Sequence, residues 1–300
     1  MMQLCLVNTL QLLVVDTLHA TYLQPTIAIF LTLFGTLIIS GIILYFFARS
    51  TRRIFIKTAG LKFDIFFTGW LGVPVHELGH AFFCLIFFHK ITEIKLFAPN
   101  TMEGTLGYVT HSYNKKNPMQ IAGNFFIGIG PIIFGSLVLF ALLWFLLPDK
   151  QAINAILSQP SVEFLSDNFS GQASQILKTG KIIFLSVVSS DNIQEPLFWL
   201  FLYLSLCIVS HMQLSLADIK SSLLGILIIF LLLLLVTFFV SFFNGNILPC
   251  IAFINSKTGV LTGILIFAVF MSVFNFLLSY IPLSIYSLIR YKKFLNPFIR

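Results

Sequence analysis

Five stretches of the chain, residues 27 to 48, 121 to 147, 196 to 214, 222 to 243 and 259 to 288, contain no Asp, Glu, Lys or Arg. A helix needs roughly 20 apolar residues to cross the hydrocarbon core of a bilayer, and in lipid every backbone N–H and C=O must be satisfied within the protein. Uncharged runs of this length therefore select membrane helices. The expected fold is an all-α polytopic membrane protein, with a sixth membrane segment at residues 65 to 88 that carries Glu77 and two histidines.

The remaining composition agrees with this. Of 300 residues, 58% are hydrophobic and 10% charged, and the mean hydropathy of +0.96 lies outside the range of ordinary soluble domains. Lys and Arg outnumber Asp and Glu by 18 to 11. The basic residues cluster beside apolar runs, a placement that orients helices against an inner leaflet rather than one that binds nucleic acid. The four cysteines are isolated, form no Cys-x-x-Cys pair, and read as small buried hydrophobes.

The charges also order the segments. Arg49, Arg52, Arg53, Lys57 and Lys62 follow the first run, which places that connection in the cytoplasm. Arg290, Lys292, Lys293 and Arg300 put the tail, residues 290 to 300, on the same side. Five full spans between two inside ends is an odd number, so one segment cannot cross as a simple helix. Residues 65 to 88 are the segment singled out, because Gly69, Gly72 and Pro74 are expected to break the helix before His76. Residues 1 to 26 read as an interfacial segment without a signal-peptide pattern. Residues 27 to 289 form the membrane body, with residues 149 to 195 as a polar excursion outside the membrane. The connection from Asn244 to Lys257 is expected to re-enter in part. The alternating, glycine-bearing stretch after the sixth segment, residues 89 to 120, predicts a short β-hairpin.

The segment Val73-Pro74-Val75-His76-Glu77-Leu78-Gly79-His80 contains His-Glu-x-x-His. On a helix, residues four apart share a face, so both imidazoles reach one zinc ion. Glu77 is offset by about a hundred degrees around the axis, which suits a general base toward the metal's water rather than a ligand. An unpaired glutamate in apolar surroundings costs several kcal/mol, about the penalty of burying an isolated charge, which argues against a chance placement.

This His-Glu-Leu-Gly-His in a membrane helix, the hairpin after it, Gly130-Pro131 in a following helix and a later intramembrane aspartate together resemble the site-2 protease family of intramembrane zinc metalloproteases. The likeness spans residues 65 to 222 in order and spacing. It implies an endopeptidase that cuts a transmembrane protein substrate in the lipid bilayer, with Zn2+ on His76 and His80 and Glu77 as catalytic base. It also implies an aspartate as third ligand, and Asp218 in Ser215-Leu216-Ala217-Asp218 is the matching position, without the family's flanking Pro and Gly. His211 and Glu195 are the other choices, the latter in the manner of CAAX-type seven-span proteases. His211, seven residues before Asp218, could instead orient its carboxylate. His111, Asn124, Asn244 and Asn275 read as structural hydrogen-bonders, with Asn124 the one to test for a transition-state contact. The resemblance places the protein in a bacterial-type plasma membrane with its site near the cytoplasmic face. The competing class is an inactive metal-binding scaffold or regulator.

Overall fold

The computed structural model describes residues 19–99, 106–162, 169–243, 245–246, 248–292 and 295–296. A π-helical turn, His19–Leu23, leads into α1, Gln24–Thr58. A short α2, Leu61–Asp64, and a second π-turn, Ile65–Gly69, run into α3, Trp70–Ile86. Strands β1, Lys90–Lys95, and β2, Tyr108–Ser112, pair antiparallel with a bulge between Ile91 and Glu93. Then come α4, Pro118–Leu146, α5, Gln151–Leu157, α6, Phe169–Val187, and α7, Ser190–Ile193. The chain ends in α8, Pro196–Ser210, α9, Leu216–Phe242, and α10, Leu248–Tyr291. Among the described residues the protein is thus helical with one two-stranded sheet, and four helices are long and apolar enough to cross a membrane: Thr21–Thr58, α4, α9 and Pro249–Arg290.

Several expected boundaries move, each for a local reason. The first helix does not end at residue 48 but continues through Arg49, Arg52, Arg53 and Lys57. Lys and Arg are good helix formers, and the helix stops only where Gly60 adopts φ 91°, a conformation that favours glycine. Residues 65 to 88 are not broken at the glycines. The backbone passes from the π-turn straight into α3, and Pro74 lies inside that helix, costing only the donor aimed at Trp70. Ser215 caps α9 and starts it at Leu216. α10 begins at Leu248, so the expected re-entrant connection is largely helix. Of the interfacial segment, residues 1–18 lie outside the described residues, and the rest already belongs to the π-turn and α1.

The described parts of residues 149 to 195 pack against the helical body. Ile153 and Ile156 of α5 and Ile183 and Val187 of α6 join the main core with Leu265 and Phe267 of α10. Their polar residues serve the packing: Ser186 donates to the Asp149 carboxylate at 2.8 Å, and the buried Asn192 donates to the Ser186 carbonyl at 2.8 Å. The short α8, 15 residues and about 22 Å long, falls below the span expected for residues 196 to 214.

Close backbone crossings hold α3, α4, α8 and α9 together. A methyl group on Gly130 would lie 2.5 Å from the Gly79 carbonyl oxygen, and one on Gly79 would lie 2.8 Å from the Gly130 backbone. Gly128 meets the Asp218 carbonyl in the same way, at 2.6 Å, and Gly72 meets Cys207. Small residues at such crossings let membrane helices approach to backbone contact. Because the obstacle to Gly130→Ala is backbone rather than a movable side chain, the substitution is expected to cost about 1–3 kcal/mol by overpacking. A fall in the apparent unfolding temperature in detergent is the measurement.

Candidate metal centre

His76 and His80 point from one face of α3, and each has one ring nitrogen tied to a backbone carbonyl. Nδ1–H of His76 donates to the His211 carbonyl at 2.8 Å, and Nδ1–H of His80 donates to Ile127 at 2.7 Å. A neutral imidazole with a protonated Nδ1 has only a lone pair on Nε2. The two Nε2 atoms nevertheless face each other at 3.2 Å. Two lone pairs at that separation repel unless a cation accepts both.

Asp218 completes the group from the first turn of α9. Its Oδ2 accepts from the Ser215 backbone N–H at 2.7 Å, and its own N–H donates to Ser215 Oγ at 3.1 Å, a reciprocal capping box. That fixes the carboxylate and leaves Oδ1 3.5 Å from His80 Nε2. The three ligand atoms all lie within 4.8 Å of one another. Adjacent ligands around tetrahedral zinc, at bond lengths of about 2.0–2.1 Å, stand about 3.3 Å apart. The two separations of 3.2 and 3.5 Å match that spacing, so the cluster could hold a metal ion with a donor set that Zn2+ accepts, and the carbonyl and capping partners orient its members as metal sites require.

Glu77 is buried beside this cluster but outside its ligand atoms. Gly107, just before β2, packs on it: a methyl group there would stand 2.8 Å from Glu77 Cγ. The hairpin thus closes over the glutamate, and any larger residue at 107 would push on it.

The alternative ligands are elsewhere. Glu195 precedes α8 and is exposed, while His211 follows its far end, roughly 22 Å along a helix of that length. The His211 ring does not reach Asp218. It is buried against Gly72 with Nδ1 3.2 Å from the Cys207 carbonyl, and it serves the site through its backbone oxygen on His76. Asn124 is buried on α4 and is not among the residues lining the cavities beside the cluster.

His111 belongs to the site although its position on β2 read as structural. It lines a cavity of about 320 Å³ with His76, Glu77, His80 and Asp218. His89 donates Nε2–H to the Gln120 carbonyl at 2.8 Å, so its Nδ1 accepts from His111 Nδ1–H at 3.0 Å. The relay leaves His111 Nε2 as an acceptor. Burial lowers the pKa of His89, and burial, reinforced by the His89 and His80 imidazoles, lowers that of His111 to about 4, keeping both neutral. Two histidines 22 residues apart flanking a predicted hairpin were the only hint in the sequence.

A second cavity, also about 320 Å³, lies on the other side of Glu77. It shares His76, Glu77, Gly107 and Ser215 with the first and adds Tyr45, Arg49, Arg52 and His211. No protein-family model, curated protein or solved structure matches the chain.

Ser215→Ala removes the hydroxyl that accepts from the Asp218 N–H and keeps the Ser215 N–H that holds the carboxylate. The expected result is a loss of about 1 kcal/mol from the helix end with zinc affinity nearly unchanged, whereas Asp218→Ala lowers zinc affinity by at least about 10–100-fold. Glu195→Ala should bind zinc as the parent does. Competition with a chromophoric chelator in micelles measures both.

Proposed function

We propose that the protein is an intramembrane zinc endopeptidase that hydrolyses peptide bonds of membrane-embedded protein substrates. The observation that carries this reading is the placement of Glu77: a carboxylate beside, and not within, a three-ligand metal cluster, on a wall common to two cavities. Catalytic zinc sites use three protein ligands and keep a fourth position open, whereas structural sites are closed by four. His76, His80 and Asp218 would hold the ion. Bound there, zinc supplies a Lewis acid and lowers the pKa of its water to about 7.

The remaining work falls to the chain itself. Glu77 accepts a proton from the attacking water and returns it to the departing amine. His111, whose Nε2 is left as an acceptor by the His89 relay and which lines the cavity of the cluster, would receive an N–H from the peptide beside the reacting carbonyl. Among the described residues β1 and β2 form a two-stranded sheet, and β2 begins next to Gly107 over Glu77. A locally unwound substrate can add to that sheet as an extended strand.

Glu77→Gln keeps the size of the side chain and removes the base. It is expected to retain one zinc per chain and to lower cleavage of a transmembrane reporter by several orders of magnitude. His76→Ala should lose the metal as well. Retained activity in zinc-loaded Glu77→Gln, or a parent protein without stoichiometric zinc, sinks the mechanism.

We also place the site near the cytoplasmic face of a bacterial-type plasma membrane, in a body of six membrane segments, α1, α3, α4, α8, α9 and α10. Support comes from Arg49 and Arg52, which line a cavity with Glu77, and from Lys57, which donates to the Asn296 carbonyl at 3.1 Å and joins the two basic clusters at one end. Cysteine at the exposed position 116 is then labelled by impermeant maleimide in inverted vesicles and not in intact cells. Labelling in intact cells reverses the orientation.

A further inference from the structure

The second cavity has an uncompensated charge. Arg52 Nε donates to Asp64 Oδ2 at 2.9 Å, and Asp64 is fully buried, so that pair is internally neutral. Arg49, one turn earlier on α1, has no carboxylate within ion-pair distance among the described residues. Its guanidinium donates to the Tyr45 hydroxyl and lies over the Tyr45 ring at 5.5 Å, which holds it in place without neutralising it. With a dication on His76, His80 and Asp218, the two negative charges of Asp218 and Glu77 are balanced, and the two cavities retain the single positive charge of Arg49.

The surroundings strengthen that charge. Val73, Leu106, Leu214 and Leu216 line the same wall, and apolar walls reduce screening. Arginine presents several donors in a fixed fork that matches a carboxylate, and only one of them is engaged with Tyr45. His76, Glu77 and Arg49 share a cavity of about 320 Å³, the lower end of the range in which proteins hold small ligands. A group bound at Arg49 therefore lies within a few residues of a peptide bond at the metal.

We propose that Arg49 is a carboxylate subsite that selects peptide substrates bearing an acidic side chain or a free C-terminus a few residues from the scissile bond. The inference rests on the proteolytic reading for its catalytic consequence and stands on the cavity for its binding consequence. Arg49 is a specificity residue in this scheme and takes no part in the proton transfers assigned to Glu77.

The probe is a Leu/Ala transmembrane peptide with a flexible juxtamembrane segment, in which Glu is scanned position by position against Gln. A second pair compares a free C-terminal carboxylate with its amide. Cleavage by the wild-type protein in micelles gives kcat/KM, and binding to zinc-loaded Glu77→Gln gives Kd. At one register, Glu or the free carboxylate is expected to raise kcat/KM about tenfold or more over its neutral partner, mainly through KM, with the same ratio in Kd. Arg49→Gln, with zinc content unchanged as the check on folding, should bring that ratio to about one, and Arg49→Glu should shift the preference to Lys at that register. A ratio near one at every position in the wild type, or a ratio that survives Arg49→Gln, overturns the subsite. So does an Arg49-dependent response to phosphatidylglycerol nanodiscs without any effect of peptide charge, since the charge then serves a lipid headgroup. If the Kd ratio and its dependence on Arg49 hold while no peptide is cleaved, the subsite stands and the proteolytic reading fails.

Discussion

The site depends first on the contact between Gly79 of α3 and Gly130 of α4. His80 can donate to the Ile127 carbonyl only because the two backbones touch one turn away. The same helix meets Asp218 through Gly128, so α4 carries the distance between the histidines on one side and the aspartate on the other. A side chain at any of these glycines adds more than an ångström between ligands that must sit within a few ångströms of one atom. Membrane helices gain little from burying apolar surface against each other, because lipid is equally apolar. Close packing at small residues is what remains, and here the packing requirement and the metal requirement fall on the same residues.

Backbone carbonyls then do the work that charged partners do in soluble metal sites. The ligands' outer partners are Ile127 O, His211 O and the Ser215 N–H and hydroxyl, with no net charge among them. In an apolar setting this orients the imidazoles and fixes their tautomer without adding the desolvation cost of further ions. The carbonyl of His211 is available because α8 ends there, where the last carbonyls of a helix have no intrahelical partner. The helix end supplies an acceptor that a continuous span through 196 to 214 would have used up.

This explains which parts were legible in the sequence. The spacing of His76, Glu77 and His80 is local, and a helix converts spacing into geometry, so the facing pair of imidazoles could be read directly. Asp218 was readable only by resemblance, because its distance from His80 is set by crossings at Gly128 and Gly130 that leave no periodic trace. The hairpin was visible as alternation, but that His111 lines the cavity of the cluster depends on its pairing opposite Ile91, beside a bulge. The packing of residues 149 to 195 left no trace in their polarity: Asp149 and Asn192 are bonded to Ser186 at the end of α6, and these partners are far apart in sequence or hidden in a helix turn. Helix ends shifted where capping outweighed hydropathy, as at Ser215, or where basic residues continued a helix, as beyond Ala48.

α8 is the short helix beside the site. It has 15 residues, about 22 Å, against a hydrocarbon core of about 30 Å, whereas the 17 residues of α3 continue the π-turn Ile65–Gly69 in one helical run. The turn after α8 therefore brings non-helical backbone next to the cluster, where the His211 carbonyl accepts from His76. Irregular backbone is tolerated there only when protein buries it or when it lines a wet cavity. His211 is buried against Gly72, and Gln213, Leu214 and Ser215 line the cavity that contains Arg49 and Arg52. The two arginines give that cavity a polar side, one of them neutralised by Asp64, and Val73 and Leu106 give it an apolar one. The proteolytic reading proposed above requires a polar approach beside an apolar one, and the shortness of α8 is what leaves room for it.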